Sequence, residues 1–579
     1  MALIDISIFK GEIPRVSEKL LPNENAARAI NCDLASGALK PIKGLVSKET
    51  LQVGAETVYR LGDRWLQWRN KVDIIESLVY NSGGRIIFTG DHYPKETNSV
   101  LALGGTTPYP SATRRLGISA PTSAPSHAIS SAGSGTVIEV SFCYTRVGEW
   151  EDDTIVESAP SPPTNNISTE NDSTIKIDDF IDASEEGSFT THYYIYRLNA
   201  GDSGAEFQYA GKLAKTDDPL EFYDNLGVTD LGEVLPTTGW TVPIDDLKGL
   251  ITGSNGIAFG FNDNTLHPSE LFIPYAFPDE YKLPVASEIV GLGFNGTAVV
   301  VLTKTVPFLV YGSDPASLSL EIRPVQLPCK SDRSIVSFPG GVIYSCPVGL
   351  ALVNSDGVAS VITQHLFTQE QWSALGPEKV FAFYYDDTYI AFFKGTSIGI
   401  EFKPGNNEIR RFDLGRPVYD GRYVSTVSTN VYSLLDSGGN TLLTSDGFEI
   451  HVIGDEYSLT FDTLYLIQAN NDLDFSQRDL VAWQVGDLMD FEWATKVFTS
   501  IRQIVLTAGI LIGDFTNGPV TIDLFIDGVL EESKVISDNE IFRFTNRKRG
   551  SRFQVILRGK GKVDRIVLGR SAFEIMKGF

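Results

Sequence analysis

Methionine, cysteine and histidine are all scarce in this chain, with 3, 4 and 6 copies in 579 residues. Cys32, Cys143, Cys329 and Cys346 show no C-x-x-C spacing, which argues against a zinc site or a dense disulfide framework and predicts buried free thiols. His92, His127, His192, His267, His365 and His451 are dispersed, with no HExxH or other close pair. A metal centre would have to be assembled wholly by the fold, so neither a metal nor a cofactor is expected. No run approaches the ~18 apolar residues that span a bilayer. The amino-terminal MALIDISIFKGEIPR has an acid at position 5 and lacks the apolar core of a secretory signal. These absences lead to the expectation of a soluble chain made in the cytoplasm.

Basic residues are also short, 48 Lys and Arg against 73 Asp and Glu for a net charge of −25. The deficit is uneven. Residues 541–579 hold eleven basic residues against two acids, a net of +9, which leaves −34 on residues 1–540. A body this acidic argues against wrapping nucleic acid by phosphate neutralisation, which needs basic stripes. It permits the opposite relation, a duplex passing a wall that repels it, and it also keeps a large protein in solution. Arg543, Arg547, Lys548, Arg549, Arg552, Arg558, Lys560 and Lys562 form a candidate contact patch for an acidic neighbour, since opposite charge steers docking. The alternative is a solvated sheet face, alternating outward from Phe553, Val555 and Leu557.

What the chain has is apolar residues (42%), aromatics (11%) and 53 glycines, a globular, turn-rich, all-β composition with length for about four domains. From Glu288 to Val358, apolar runs of four to six residues rich in Val, Ile, Phe and Tyr are each closed by Gly, Asn, Asp or Pro, which predicts short antiparallel strands. The pattern recurs. Strand pairs open at Ile289, Ile335, Val380 and Val424, spaced 46, 45 and 44 residues apart, with further copies at Leu250 and Val58. About four strands in a period of roughly 40–50 residues predict β-propeller blades, about six in number.

The expected order is a segment 1–45 with a short helix capped by Asn23, a first blade at 46–110, an inserted sandwich at 111–244, the remaining blades at 245–450 and a carboxy-terminal sandwich at 451–579. Residues 106–136, dense in Pro, Ser, Thr and Gly, read as a linker. Beyond it, about seven short strands suggest a fibronectin III-like β-sandwich, with Tyr194, Tyr196 and Leu198 on one inward face. A helix is expected at LFTQEQWSALGP, boxed by Thr368 and Gln371 and ended by Gly376. The last unit, with a hairpin turning on Asp527-Gly528, reads as a jelly-roll-like sandwich.

Several ordered motifs carry a resemblance: IPR, LLP, a NAA segment, NCDL, SG and a Pro-Ile pair within residues 1–45; LHPSELFIPYAFPDEYKLP at 266–284; then VPFLVYGSDPASLSLE, PVQLPCKSDRSIV and GGVIYSCPVGLALV. In this order they resemble the nozzle, or tail tubular protein B-like, family of short-tailed bacteriophages, and Trp493, Lys496, the Asp-Gly hairpin and a basic strand resemble that family's carboxy-terminal domain. The resemblance implies a homohexameric tail subunit that extends a head-to-tail adaptor ring, neighbours tail fibres or spikes, and lets genomic DNA transit its lumen. It would be assembled in the host cytoplasm and reside in the virion tail.

Residues with catalytic potential are few. Gly291-x-Gly293-x-x-Gly296 fits a dinucleotide fingerprint in letters only, because the strand-forming Thr297-Ala-Val-Val-Val follows where a helix must open. SSAGSGT at 130–136 lacks the lysine of a phosphate-binding loop. Asp472, Asp474 and Ser476 begin like a calcium loop, but Gln477 and Trp483 stand where Gly and Glu are required. The pairs Asp152-Asp153, Asp217-Asp218 and Asp386-Asp387 read as turn residues, though two carboxylates brought together in space could serve a glycosidase. No catalytic residue and no enzymatic activity is expected. The main expectation is a structural conduit subunit. The alternative is a propeller that binds, or hydrolyses, cell-surface glycan and carries sandwich modules as spacers, with aromatic and carboxylate clusters at loop tips.

Overall fold

Apolar runs closed by turn residues become antiparallel meanders in the computed structural model, which describes residues 4–78, 84–201, 204–253, 256–428, 431–433, 451–453, 459–471, 476–545 and 547–576. The fold is all-β and contains propeller-type blades. Its contacts divide into two units, residues 59–361 and residues 1–58 with 362–579.

In the first unit, four four-stranded sheets follow one another. They comprise Asp73–Glu76, Ile86–Thr89, Lys95–Thr97 and Arg114–Arg115; Lys248–Thr252, Ala258–Asn262, Thr265–Pro268 and Leu283–Pro284; Ile289–Phe294, Val299–Thr303, Phe308–Tyr311 and Ser319–Ile322; and Val336–Phe338, Gly341–Cys346, Gly349–Asn354 and Ala359–Val361. Each sheet packs on the next. Ile87 and Leu116 meet Leu250 and Phe277, Phe259 and Leu266 meet Leu292 and Val301, and Val300 and Leu309 meet Val342 and Val353. Both faces are therefore buried, which is why these strands read as near-continuous apolar runs. The glycines of the GxGxxG look-alike serve this packing. A Cβ on Gly291 would lie 2.5 Å from Ile335 Cδ1, and one on Gly293 2.7 Å from Val342 Cγ1. The hairpin between Ile289–Phe294 and Val299–Thr303 turns at Gly296 (φ 95°), with Asn295 Oδ1 accepting from the backbone N–H of Thr297 and Ala298. Asp73 ties the first sheet to the second and to the turn before the fourth, accepting from Gly249 N and from Arg333 Nη1, both at 3.2 Å.

Between the first and second of these sheets lies the inserted sandwich. One sheet orders Ile155–Glu157, Phe142–Glu149, His192–Gly201 and Gly204–Ala214; another orders Ser126–Ser131, Thr174–Asp178 and Phe222–Asp224. Two expectations change here. Ser126–Ser131, read as linker, is a strand paired with Thr174–Asp178. In His192–Gly201 it is Tyr193 and Ile195 that enter the main core with Phe142, Tyr144 and Ile177, while Tyr194 and Tyr196 face a second cluster with Cys143, Phe207 and Leu235. Period-two alternation fixes two faces but not which of them is inward, and here both are covered.

The second unit is woven from distant chain. The Val380–Tyr385, Thr388–Phe393 and Thr396–Phe402 meander pairs with a 19-residue strand, Arg410–Ser428, in a 13-stranded sheet that continues through Arg28–Ile30, Phe491–Ala494, Gly550–Gly559, Val520–Ile526 and Val529–Ile536. A second sheet, Ile4–Ile6, Lys562–Gly569, Ala508–Asp514 and Phe542–Arg543, contributes to a shared core that includes Phe9, Trp493, Leu524, Phe553 and Leu568. Residues 1–45 are thus not a free-standing segment. The expected Asn23 helix is absent, and Asn25–Ala26 and Arg28–Ile30 are strands. Pairing of Asn25–Ala26 with Lys10–Glu12 and of Arg28–Ile30 with Phe491–Ala494 outweighs the local helix preference of ENAARAI.

Val424, expected to open a blade, sits inside Arg410–Ser428 and pairs with Thr463. The Val380 copy does form a meander, yet it belongs to the unit of 362–579 rather than to that of the four sheets. The helix Gln369–Leu375 has the expected capping box of Thr368 and Gln371 and the left-handed Gly376. Asp527 (φ 51°) and Gly528 (φ 87°) turn the hairpin of Val520–Ile526 and Val529–Ile536. Asp472 and Asp474 of the calcium-like loop lie outside the described residues.

Candidate functional site

The basic patch is partly neutralised within the chain. Arg558 pairs with Glu492 at 2.7 Å and with Asp523, Lys548 with Glu531, Arg552 with Asp527 at 3.8 Å, and Lys562 with Asp564 at 2.8 Å. Arg543, Arg547 and Arg549 are exposed, Lys560 is half-buried, and none of the four forms an ion pair with another described residue. The strand Gly550–Gly559 alternates as expected, with Phe553, Val555 and Leu557 in the core.

Several residues in or beside the motifs behind the resemblance are joints. Glu12, 2% exposed, accepts from Ala29 N at 2.7 Å and pairs with Arg411 at 2.8 Å, while its own backbone bonds both ways with Ile409. Arg15 N donates to Leu366 O, and Gln371 Nε2 to Pro14 O, both at 2.8 Å. Asn31, at φ 55°, exchanges side-chain bonds with the backbone of Asp413. In the other unit, Ser269 Oγ accepts from Ala258 N and donates to Glu270 O, and Tyr344 OH donates to Leu327 O. Burial pushes the Cys329 thiol up to about 12, which keeps it protonated.

A cleft does exist, at the root of the inserted sandwich within the unit of 59–361. Its cavity of about 150 Å³ is lined by Ser119, Glu157, Ser158, Trp240, Thr241 and Tyr275, among others. Arg146 fixes one wall by donating to Ser119 O at 2.9 Å and Ser119 Oγ at 3.1 Å, while its other nitrogens bond Ile181 O and Asp182 O. Phe277 N donates to Thr241 O at 2.8 Å and so fixes the opposite wall. Trp240 and Tyr275 meet edge to face at 6.1 Å between centroids. Glu157, half-buried, accepts from Thr145 Oγ1 at 2.6 Å and Tyr196 OH at 2.7 Å. Burial raises its carboxyl above the ordinary range, and those two hydroxyls oppose the rise.

Beside it, Trp150 lies between two guanidiniums, with Arg85 Cζ 4.6 Å and Arg114 Cζ 4.2 Å from its ring centroid. Arg85 pairs with Asp152 at 2.9 Å. Burial pushes the fully enclosed Glu96 up to about 7 against the pull of Arg85 and Arg114. The other acid pairs act in turns, Asp386 and Asp387 both having positive φ. No group of three His, Cys, Asp or Glu able to hold a metal occurs among the described residues. Sequence reading missed this cleft because Glu157 and Trp240 stand 83 positions apart in loop-like surroundings, ESAPSPP and TTGWTVP. A lone tryptophan in a linker was the one available signal.

No family model and no curated protein matches the chain. Among solved structures it is similar to YCF48 from Cyanidioschyzon merolae (10% identity, 45% of this chain and 94% of that one, TM-score 0.25) and to the WD40 domain of Toxoplasma gondii coronin (8%, 62% and 88%, TM-score 0.25). It is also similar to an exo-β-1,3-galactanase from Phanerochaete chrysosporium (8%, 90% and 100%, TM-score 0.17). At these scores the likenesses carry no functional argument.

Proposed function

We propose that this chain is a non-catalytic structural subunit of the tail conduit of a short-tailed bacteriophage, residing in the virion and passing genomic DNA without reading its sequence. One observation carries the reading. The motif residues Arg15 and Asn31 bond segments more than 340 positions away, at Leu366 and Asp413, and Tyr344 holds the Leu327 carbonyl, as expected where the task is mechanical. The charge division supports it, with −34 on residues 1–540 to hold a duplex off a wall and the exposed Arg543, Arg547 and Arg549 of the basic patch placed to meet an acidic neighbour. Ring assembly, as a hexamer on an adaptor ring and beside fibres or spikes, belongs to the same proposal. The test is electron microscopy of the purified chain, alone and with adaptor rings. Closed rings with an axial opening are expected, and monomers that leave the adaptor bare would overturn the reading.

A second reading, a glycan-binding propeller protein, is favoured by the cleft with its two aromatic rings and a carboxylate. Glu157 is the one carboxylate among the described lining residues, short of the pair a glycosidase uses, so binding without hydrolysis is the form this reading takes. Retention of the chain on immobilised glycan would favour it.

A further inference from the structure

We infer that the cleft at Glu157 binds an organic ammonium group, carried on a single amino-sugar ring that lies against Trp240 and Tyr275. The inference rests on the cleft being a ligand site, as in the second reading, and is independent of the conduit.

Buried Glu12, Asp224, Glu401 and Asp523 each have an arginine within ion-pair distance: Arg411, Arg197, Arg410 and Arg558. Glu157 is held by neutral hydroxyls of Thr145 and Tyr196 and forms no ion pair with a described Lys, Arg or His. A carboxylate drawn out of water without a counter-charge is stabilised by a cation that enters beside it. Trp240 and Tyr275 line the same cavity, and an aromatic face presented to a cation attracts it. A cavity of about 150 Å³ admits a group of about benzene's size, so the ammonium-bearing edge of the sugar is the part that enters. Because Arg146 and the Thr241–Phe277 bond fix both walls, little ordering is needed on binding.

The experiment is calorimetric titration of the full chain with D-glucosamine, at a pH where its amine is protonated, and with D-glucose as the neutral counterpart. Glucosamine is expected to bind at least about tenfold more tightly than glucose, and Glu157→Gln to abolish that preference, a loss of about 1.4 kcal/mol. Trp240→Ala, on the half-buried rim, should weaken glucosamine about tenfold while leaving the melting temperature unchanged. It carries the test if Glu157→Gln fails to fold. Equal binding of the two sugars would overturn the ammonium inference and leave a neutral glycan site. Absence of binding by either at millimolar concentration would overturn both. Unchanged binding in Trp240→Ala or in a folded Glu157→Gln would place the ammonium elsewhere and end the inference.

Discussion

The blades of residues 59–361 and the woven sheets of 1–58 with 362–579 use similar strands in opposite ways. Within each of the four sheets of the first unit, a strand pairs with its neighbour in sequence, as Ile86–Thr89 does with Asp73–Glu76 and Lys95–Thr97. In the other unit Ile4 pairs with Leu568, Ala29 with Trp493 and Val46 with Ala482. Local pairing repeats, so it leaves a period that can be read. Pairing across hundreds of residues leaves none, and its entropy of closure is recovered only when the remote partner is in place. The woven unit should therefore fail as a whole when one end is removed, and the blades should not.

The largest effect tests that claim directly. Deleting residues 1–12 removes Ile4, Ile6 and Phe9, all nearly inaccessible, and should cost at least ~5 kcal/mol at ~1.5–3 kcal/mol for each buried side chain. Hydrogen exchange should then show protection lost across 459–471 and 476–576 and retained across the four-sheet unit. Loss in both would erase the distinction.

Next is Arg197→Ala in the inserted sandwich, which leaves Asp224 buried without its 2.7 Å partner. A loss of ~3–5 kcal/mol in urea unfolding is expected. Asp224→Asn in the Arg197→Ala background should recover part of it.

Glu96 gives the first unit a pH dependence of its own. Its folded value, raised to about 7 from 4.5, means that the folded state holds a proton the unfolded chain has released. Stability from this group is full below about 4.5 and falls away as pH rises through about 7, by about 3 kcal/mol in all. Denaturant melts of Glu96→Gln should lack that slope.

The smallest effect is local and lies in the woven unit. Thr368→Ala removes the hydroxyl that accepts from Gln371 N and should cost about 1 kcal/mol. A much larger loss would show that the helix end transmits to the Gln371–Pro14 joint.

Legibility followed the same division. The meanders at Leu250, Ile289 and Ile335 were readable because each apolar run ends in a turn residue close to its partner. The Thr368–Gly376 helix was readable because its cap, box and stop are all within nine residues. Val424 misled, since a strand continuing past a bulge at Val418 to a new partner has the same alternation as one that opens a blade. Asn25–Ile30 misled because good helix formers were recruited as strands, Asn25–Ala26 by Lys10–Glu12 and Arg28–Ile30 by Phe491–Ala494. The basic patch was visible as charge, but its pairing with Glu492, Asp523 and Glu531 was not.

By itself the amino-acid sequence determined an all-β chain of turn-closed strands, a blade-length repeat, an interrupting sandwich and an unequal division of charge, because composition and short-range alternation control those properties. Only the tertiary structure decided that the amino terminus completes the carboxy-terminal sandwich, that Tyr193 and not Tyr194 faces the main core, and that Glu157 and Trp240 line one cleft. Each of these depends on which remote surfaces come together, and burial acts on surfaces whatever their separation along the chain.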